Sequence, residues 1–229
     1  MLVYSDNTRD PSSNLKRESE IFEMVDRGAL PEVLRFWVNS SCLVKGPTKT
    51  GKYGWYNEKL AEAMGIPVIT RSSGGGVVYH DEGNLNWSFF LRTAGSFLAP
   101  RAAYELGSKH IISALESLGA EALFAPPNRI DVRGHKVSGM AARFTPRALL
   151  VHGTLLLNSD LDRLNALCVP PPDCPPVANL SSWVKGITTK AVEGAVVTKL
   201  SESGLNPRRV EQVDPKGLRQ GSGPEDGTL

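Results

Sequence analysis

Apolar residues along this chain recur at two spacings, and the spacing changes at glycines and prolines. Over residues 14–27, Leu15, Ile21, Phe22 and Val25 fall at helical intervals among charges, with Gly28 beyond them, which predicts an amphipathic first helix. Residues 33–38 and 42–45 read as strands with a turn at Asn39-Ser40-Ser41, and residues 56–64 as a short helix ending at Gly65. Residues 66–69 and 77–79 read as buried strand segments on either side of Gly74, Gly75 and Gly76, and residues 85–91 as a third strand. The longest helical pattern covers residues 100–118, with Ala103, Leu106, Ile111, Leu115 and Leu118 on one side and Gly119 past the end. Residues 120–125 form the next expected strand, broken by Pro126-Pro127, and Asp160 is an expected N-cap for a helix reaching Leu167. After Leu205 the apolar periodicity fades into Pro, Gly and charge. The expectation is one domain over 1–205 and a flexible tail over 206–229, with no room for a complete C-terminal accessory domain.

Composition narrows the class. A chain of 229 residues can bury one substantial core, and a net charge of +2 gives no reason to invoke nucleic acid. Cys42, Cys168 and Cys174 are too few and too unevenly spaced for a secreted disulfide framework. Residues 1–13 are polar and include Pro11, no long apolar run follows, and a cytoplasmic enzyme without membrane attachment is the expected class.

Candidate chemistry concentrates in RSSGGGVVYHDEGNLNWSFF, residues 71–90, where the glycines permit close approach of a ligand to the main chain while Arg71, His80, Asp81 and Asn84 supply polar groups. On residue chemistry alone, a glycine-rich hairpin turn with a solvated end accounts for the same stretch. The run resembles the signature of the lipoate-protein ligase A family, within the biotin/lipoate ligase and octanoyltransferase superfamily. That resemblance implies an α+β catalytic module with a mainly antiparallel central sheet flanked by helices. It also implies that Arg71, Ser73, Gly74, Gly75, Gly76, Val77, Tyr79, His80 and Asn84 bind the acyl chain and the phosphate of an acyl-adenylate.

Two further blocks extend the resemblance. NRIDVRGHKVSGMA, from Asn128, is similar to the family's lysine strand. It implies binding roles for Asn128, Ser138 and Gly139 and a catalytic role for Lys136, whose ammonium would stabilise negative charge on reacting oxygens. Arg129 occupies the position where the ligases carry aspartate, and Asp131, two residues on and therefore on the same strand face, is the candidate magnesium ligand. HGTLLLN, from His152, is similar to a third family block and adds His152, Gly153 and Thr154 to the binding set. Together these imply ATP-dependent attachment of lipoate or octanoate to the lysine of a lipoyl carrier protein, with magnesium, and a separate accessory protein as a further expected partner.

Cys168 opens an alternative. Related octanoyltransferases carry a thioester on a cysteine near this position, and Lys136 beside it would lower the thiol pKa. In that case octanoyl transfer between carriers would need no ATP. A non-catalytic acyl-binding accessory protein is the third reading. Residues 46–52, GPTKTGK, fit the spacing of a phosphate-binding loop, but Tyr53 stands where a magnesium-holding hydroxyl is required, so a surface loop is expected there.

Overall fold

The structure, a computed structural model, describes residues 1–49, 54–93, 95, 98–214 and 217–219. The first part of the chain runs β1 (Leu2–Ser5), α1 (Pro11–Asp26), β2 (Val33–Trp37), β3 (Cys42–Lys45), β4 (Trp55–Tyr56), α2 (Glu58–Ala63), β5 (Val68–Thr70), β6 (Val77–His80) and β7 (Asn84–Arg92). It continues with α3 (Pro100–Ser117), β8 (Ala122–Ala125), β9 (Arg129–Val132), β10 (His135–Phe144), β11 (Ala148–Leu156), α4 (Leu161–Leu167) and β12 (Cys168–Val169). A 3-10 turn at Leu180–Ser182 leads to α5 (Thr189–Glu202), β13 (Arg208–Val210), β14 (Gln212–Asp214) and β15 (Gly217–Arg219).

An eight-stranded sheet in the order β13-β1-β2-β7-β11-β10-β9-β8 forms the centre, antiparallel except where β1 joins β2 and β13. Alternation along its strands decides what each face meets. Leu34, Phe36, Leu85, Trp87, Phe89, Leu149 and Val151 face α3 and α5 and make the larger core with Ile111, Leu115, Val192 and Val196. Val33, Phe90 and Leu150 pack against Ile21, Phe22 and Val25 of α1. Glycine fits this packing where α3 crosses β11, because a Cβ on Gly107 would lie 2.5 Å from a Val151 methyl. The α+β expectation is borne out by this mixed, mostly antiparallel sheet with helices over both faces.

Several local expectations change. Strands β2 and β3 do not form a hairpin: β2 enters the large sheet, whereas β3 is the middle strand of a small sheet ordered β5-β3-β6. The triple-glycine segment is not a hairpin turn either. Lys45 pairs with Thr70 on one side and Val77 on the other, so residues 71–76 arch over the end of β3. Residues 1–13 hold the buried strand β1, whose Leu2, Val3 and Tyr4 are too short a run to register as periodic. Helix α5 also goes unannounced, since it turns only Val192, Val196 and Leu200 inward.

The tail boundary needs correction too. Arg208–Val210 pairs with Leu2–Tyr4, and the buried Val213 joins the cluster around α1, because edge pairing supplies the hydrogen bonds that apolar content does not. Residues 215, 216 and 220–229 of the expected tail lie outside the described residues, as do Thr50, Gly51, Lys52 and Tyr53 of the surface loop. Gly46, which opens that loop, is required by the arch above it, for a Cβ there would lie 2.2 Å from the Gly75 carbonyl oxygen.

Candidate active site

Between the small sheet and the α1 face of the large sheet lies a cavity of about 310 Å³. Its lining includes Arg71, Gly75, Gly76, Val77, His80, Asn128, Lys136, Gly139, His152, Gly153, Thr154 and Cys168 from the expected set. Residues from all three motif blocks therefore meet on one space.

Lys136 reaches it through a β-bulge. The β9–β10 register shifts between Lys136 and Ser138, which puts Lys136 on the same side as Gly139, three residues on, where regular alternation would oppose them. Its ammonium lies 3.3 Å from where a Cβ on Gly139 would stand, so glycine leaves the room that the lysine occupies. The main chain is clamped as well: Lys136 N–H donates to the Pro176 carbonyl at 2.9 Å, and Ala178 N–H donates to the Lys136 carbonyl at 3.1 Å. Among the described residues the ammonium has no hydrogen-bond or ion-pair partner.

The glycine arch is held by Arg71, whose guanidinium donates to Ser73 Oγ (3.0 Å), the Val44 carbonyl (3.1 Å) and the Gly74 carbonyl (2.8 Å). Burial lowers the Arg71 pKa to about 10, which still leaves it cationic at neutral pH. Gly75 has φ of 96°, a conformation that strains any side-chain-bearing residue. Gly153 is needed for a different reason, as a Cβ would lie 2.6 Å from the Trp87 ring.

Other expected residues act from behind the lining. Ser73 Oγ lies 2.7 Å from His152 Nε2, and His152 Nδ1 lies 2.8 Å from Glu18 Oε1. Glu18 also accepts from Ser88 Oγ at 2.7 Å, while Ser88 accepts from Trp37 Nε1 at 3.1 Å. Burial works to raise the Glu18 carboxyl, but His152, Ser88 and Arg35 outweigh it and hold the group below the usual carboxylate range. Gly74 contributes its carbonyl to Arg71, and Asn84 is buried in β7, where it donates to Asn86 Oδ1 at 3.0 Å; Asn86 lines the cavity. Tyr79 and Ser138 line an adjoining recess of about 50 Å³.

Two expectations are corrected by this geometry. Asp131 lies outside the lining, and both of its carboxylate oxygens accept from Arg129 Nε at 3.0 and 3.1 Å, which engages the group proposed for magnesium. Among the described residues no group of three or more His, Cys, Asp or Glu side chains is placed to hold a metal. Cys168 does reach the cavity beside Lys136. Burial nevertheless pushes its thiol up to about 11, against the pull of the ammonium, which is the opposite direction from the lowering that the thioester reading expects.

Residues 10–201 match the lipoyl protein ligase A/B catalytic domain. The chain belongs to that family. Among curated relatives of this ligase family, it is 35% identical over 170 residues to lipoate-protein ligase 1 of Staphylococcus aureus, covering 74% of this chain and 50% of the relative. It is also 35% identical over 166 residues to the lipoate-protein ligase LplJ of Bacillus subtilis, covering 72% and 48%. The chain thus spans about half the length of these relatives. Its fold is that of a lipoate-protein ligase A solved with bound ATP (TM-score 0.79, 23% identity, 94% of this chain and 89% of the other). A bi-partite lipoate protein ligase from Thermoplasma acidophilum, described with its E2 lipoyl domain, has the same fold (TM-score 0.75, 21% identity, 94% and 88%).

Within this ligase-family site, Glu18, Trp37, Asn86 and Ser88 escaped the motif reading, although each leaves a trace in sequence. Glu18 lies on the buried stripe of α1 with Leu15, Phe22 and Val25, an unusual place for a charge. Asn84, Asn86 and Ser88 alternate with Leu85, Trp87 and Phe89 along a strand buried on both faces, which marks a polar site on one of them.

His80 makes a testable contribution to acid stability. Burial lowers its pKa to about 3, with Arg71 and His152 adding to the effect. The unfolded chain takes up this proton near pH 6.5 and the folded chain does not, so stability is intact above that value and declines toward pH 3. Unfolding free energies measured between pH 7 and 5 should fall with a slope of at most about 1.4 kcal/mol per pH unit from this group. A His80→Leu variant should show a shallower decline; an unchanged slope would contradict the assignment.

Proposed function

We propose that this protein uses ATP to activate lipoate, or the related octanoate, and attaches it to the lysine of a lipoyl carrier domain. The observation that carries this reading is that the Lys136 ammonium, without a partner among the described residues, and Gly75 and Gly76 of the arch line one cavity. A carboxylate oxygen of the acid attacks the α-phosphorus of ATP; the P–O bond to the β-phosphate breaks and pyrophosphate leaves with the electron pair. The carrier amine then attacks the acyl carbon, the C–O bond to the phosphate breaks, AMP leaves, and the nitrogen gives up its proton. Both steps gather negative charge on oxygen, where a fixed ammonium is most effective.

The glycine arch suits a phosphate because no side chain separates the ligand from its main chain, and the amides of Gly75 and Gly76 have no partner among the described residues. Apolar walls from Leu15, Trp37, Val44 and Val78 suit an acyl chain. Magnesium, as a companion of the nucleotide phosphates, would find few protein ligands here, since Asp131 is taken by Arg129. The bi-partite ligase with the same fold supports a separate accessory protein as a second partner. No helix among the described residues is long and apolar enough to cross a membrane, which is compatible with the cytoplasmic setting proposed here.

Intact mass of a lipoyl carrier domain after incubation with the protein, ATP and lipoate or octanoate, with and without a candidate accessory protein, tests the reading. ATP-dependent modification is the expected result. Cys168→Ser should retain at least about half of that rate, because a thiol held protonated takes no part in it. Loss of activity in Cys168→Ser, or transfer from an octanoylated donor without ATP, would return the thioester mechanism.

A further inference from the structure

The two hydrogen-bond networks behind the cavity include one that ends on His80 and that no step above uses. It begins at Arg35, fully buried on β2, which donates to Asp6 Oδ2 at 2.9 Å, to the Asn14 carbonyl at 2.9 Å, and to Asn14 Oδ1. A guanidinium has donors and no acceptor, so the Asn14 side-chain atom that faces it is the oxygen. The Asn14 amide nitrogen accordingly faces the Thr8 carbonyl (2.8 Å) and Asn39 (2.9 Å), and the Asn39 atom that receives it is also oxygen. That leaves the Asn39 amide nitrogen 3.1 Å from His80 Nδ1. A ring nitrogen that accepts an N–H carries no proton of its own, so a neutral His80 holds its proton on Nε2.

The ring is fixed in place as well as in tautomer. It stands edge-on to Trp37, with ring centroids 5.8 Å apart and planes at 68°. His80 lines the cavity together with Leu15, Trp37 and Val44, which belong to one apolar cluster, and Nε2 has no partner among the described residues. Lys136 and Cys168 line the cavity too, and with it an adjoining recess that His80 does not line. If, as proposed above, the acyl carboxylate reacts at Lys136, the far end of the chain points toward His80.

We propose that Arg35, Asn14 and Asn39 hold His80 as an N–H donor in the apolar part of the acyl cavity, away from the recess at Lys136, and that this donor selects a chain whose far end can accept a hydrogen bond. Of the two acids in the ligase reading on which this rests, lipoate carries two ring sulfurs there, which are weak acceptors, whereas octanoate ends in a methyl group that leaves the N–H unpaired. The structure therefore assigns His80 to specificity and Asn39 to positioning. The preference for lipoate over octanoate is expected to be about five- to tenfold in Kd, the range of one weak hydrogen bond gained and one buried donor satisfied.

Nitrogen-15 NMR of the histidine rings in the full chain reads the tautomer directly. At pH 7 His80 should show protonated Nε2 and bare Nδ1, and Asn39→Ala, which lies outside the cavity lining, should shift the ring toward a mixture. Calorimetry with lipoate and octanoate should show the preference in the wild type and its loss, to within about twofold, in His80→Phe and in Asn39→Ala. A His80 ring protonated on Nδ1, or a wild-type preference that survives both substitutions, overturns the inference. Neither measurement needs turnover, so a preserved preference without carrier modification would uphold it and tell against the ligase reading instead.

Discussion

Replacing Lys136 with alanine is expected to lower carrier modification by about a thousandfold while leaving the thermal midpoint within about 2 °C of the wild type. The large loss follows from position. The ammonium is brought to the cavity by a bulge in β10, is pinned through its main chain to Pro176 and Ala178, and has no competing partner among the described residues. A charge held this way needs no rearrangement when oxygens become more negative, which is the condition under which removing one electrostatic contact costs two to three orders of magnitude. The small stability change follows from the same observation, since no ion pair or hydrogen bond of the side chain is lost. Lys136→Arg should rescue poorly: the bulkier fork has to fit against Gly139, where 3.3 Å separates the present side chain from the position of a Cβ. Single-turnover mass spectrometry of the carrier measures the effect, and a loss below about tenfold would remove Lys136 from the centre of the chemistry.

Glu18→Ala is expected to give the largest stability change, a loss of about 3 kcal/mol and a fall of about 6 to 12 °C in the thermal midpoint. The carboxylate is 1% exposed and accepts from Ser88 at 2.7 Å while lying 2.8 Å from His152 Nδ1. Removing it strands two buried polar groups and opens a hole in the stripe by which α1 packs on the sheet. Function should suffer beyond stability, because His152 contacts Ser73, and Ser73 receives Arg71, the residue that ties down the glycine arch. Glu18→Gln keeps the shape and one acceptor and should lose about half as much. Calorimetric unfolding of the three proteins at pH 7 checks the order; an alanine variant as stable as the wild type would mean that solvent, not Glu18, satisfies His152 and Ser88.

Local chemistry made much of the architecture readable. Leu15, Phe22 and Val25 announced α1, Pro100 and Gly119 bracketed α3, and Asp160 capped α4 by accepting from the Arg163 amide at 2.9 Å. Strand β1 was not readable, because three apolar residues carry no periodic signal until neighbours cover them, and helix α5 was missed although Val192, Val196 and Leu200 recur at helical spacing, since Gly194 and the β-branched Val197 and Thr198 beside them weaken its helical propensity. The same holds for the site. Lys136, the glycine arch and the His152 block stand out as contiguous motifs, whereas Glu18 and Trp37 lie outside them, Ser88 sits unmarked within the first, and all three join the site through hydrogen bonds between buried side chains.

By itself, then, the order of residues determined where most of the helices and several of the strands form and that the glycines beside Arg71 leave the main chain open to a ligand, and its family resemblance grouped the lysine strand and the HGTLLLN strand with them. Tertiary structure alone decided that the arch crosses over β3 instead of closing a hairpin, that Asp131 is answered by Arg129, and that burial raises the Cys168 thiol pKa against the pull of Lys136. The physical reason is range: backbone preference and capping act within a few residues, while desolvation, the partner of a buried charge and the side on which a bulged strand presents its lysine depend on atoms brought together from distant parts of the chain.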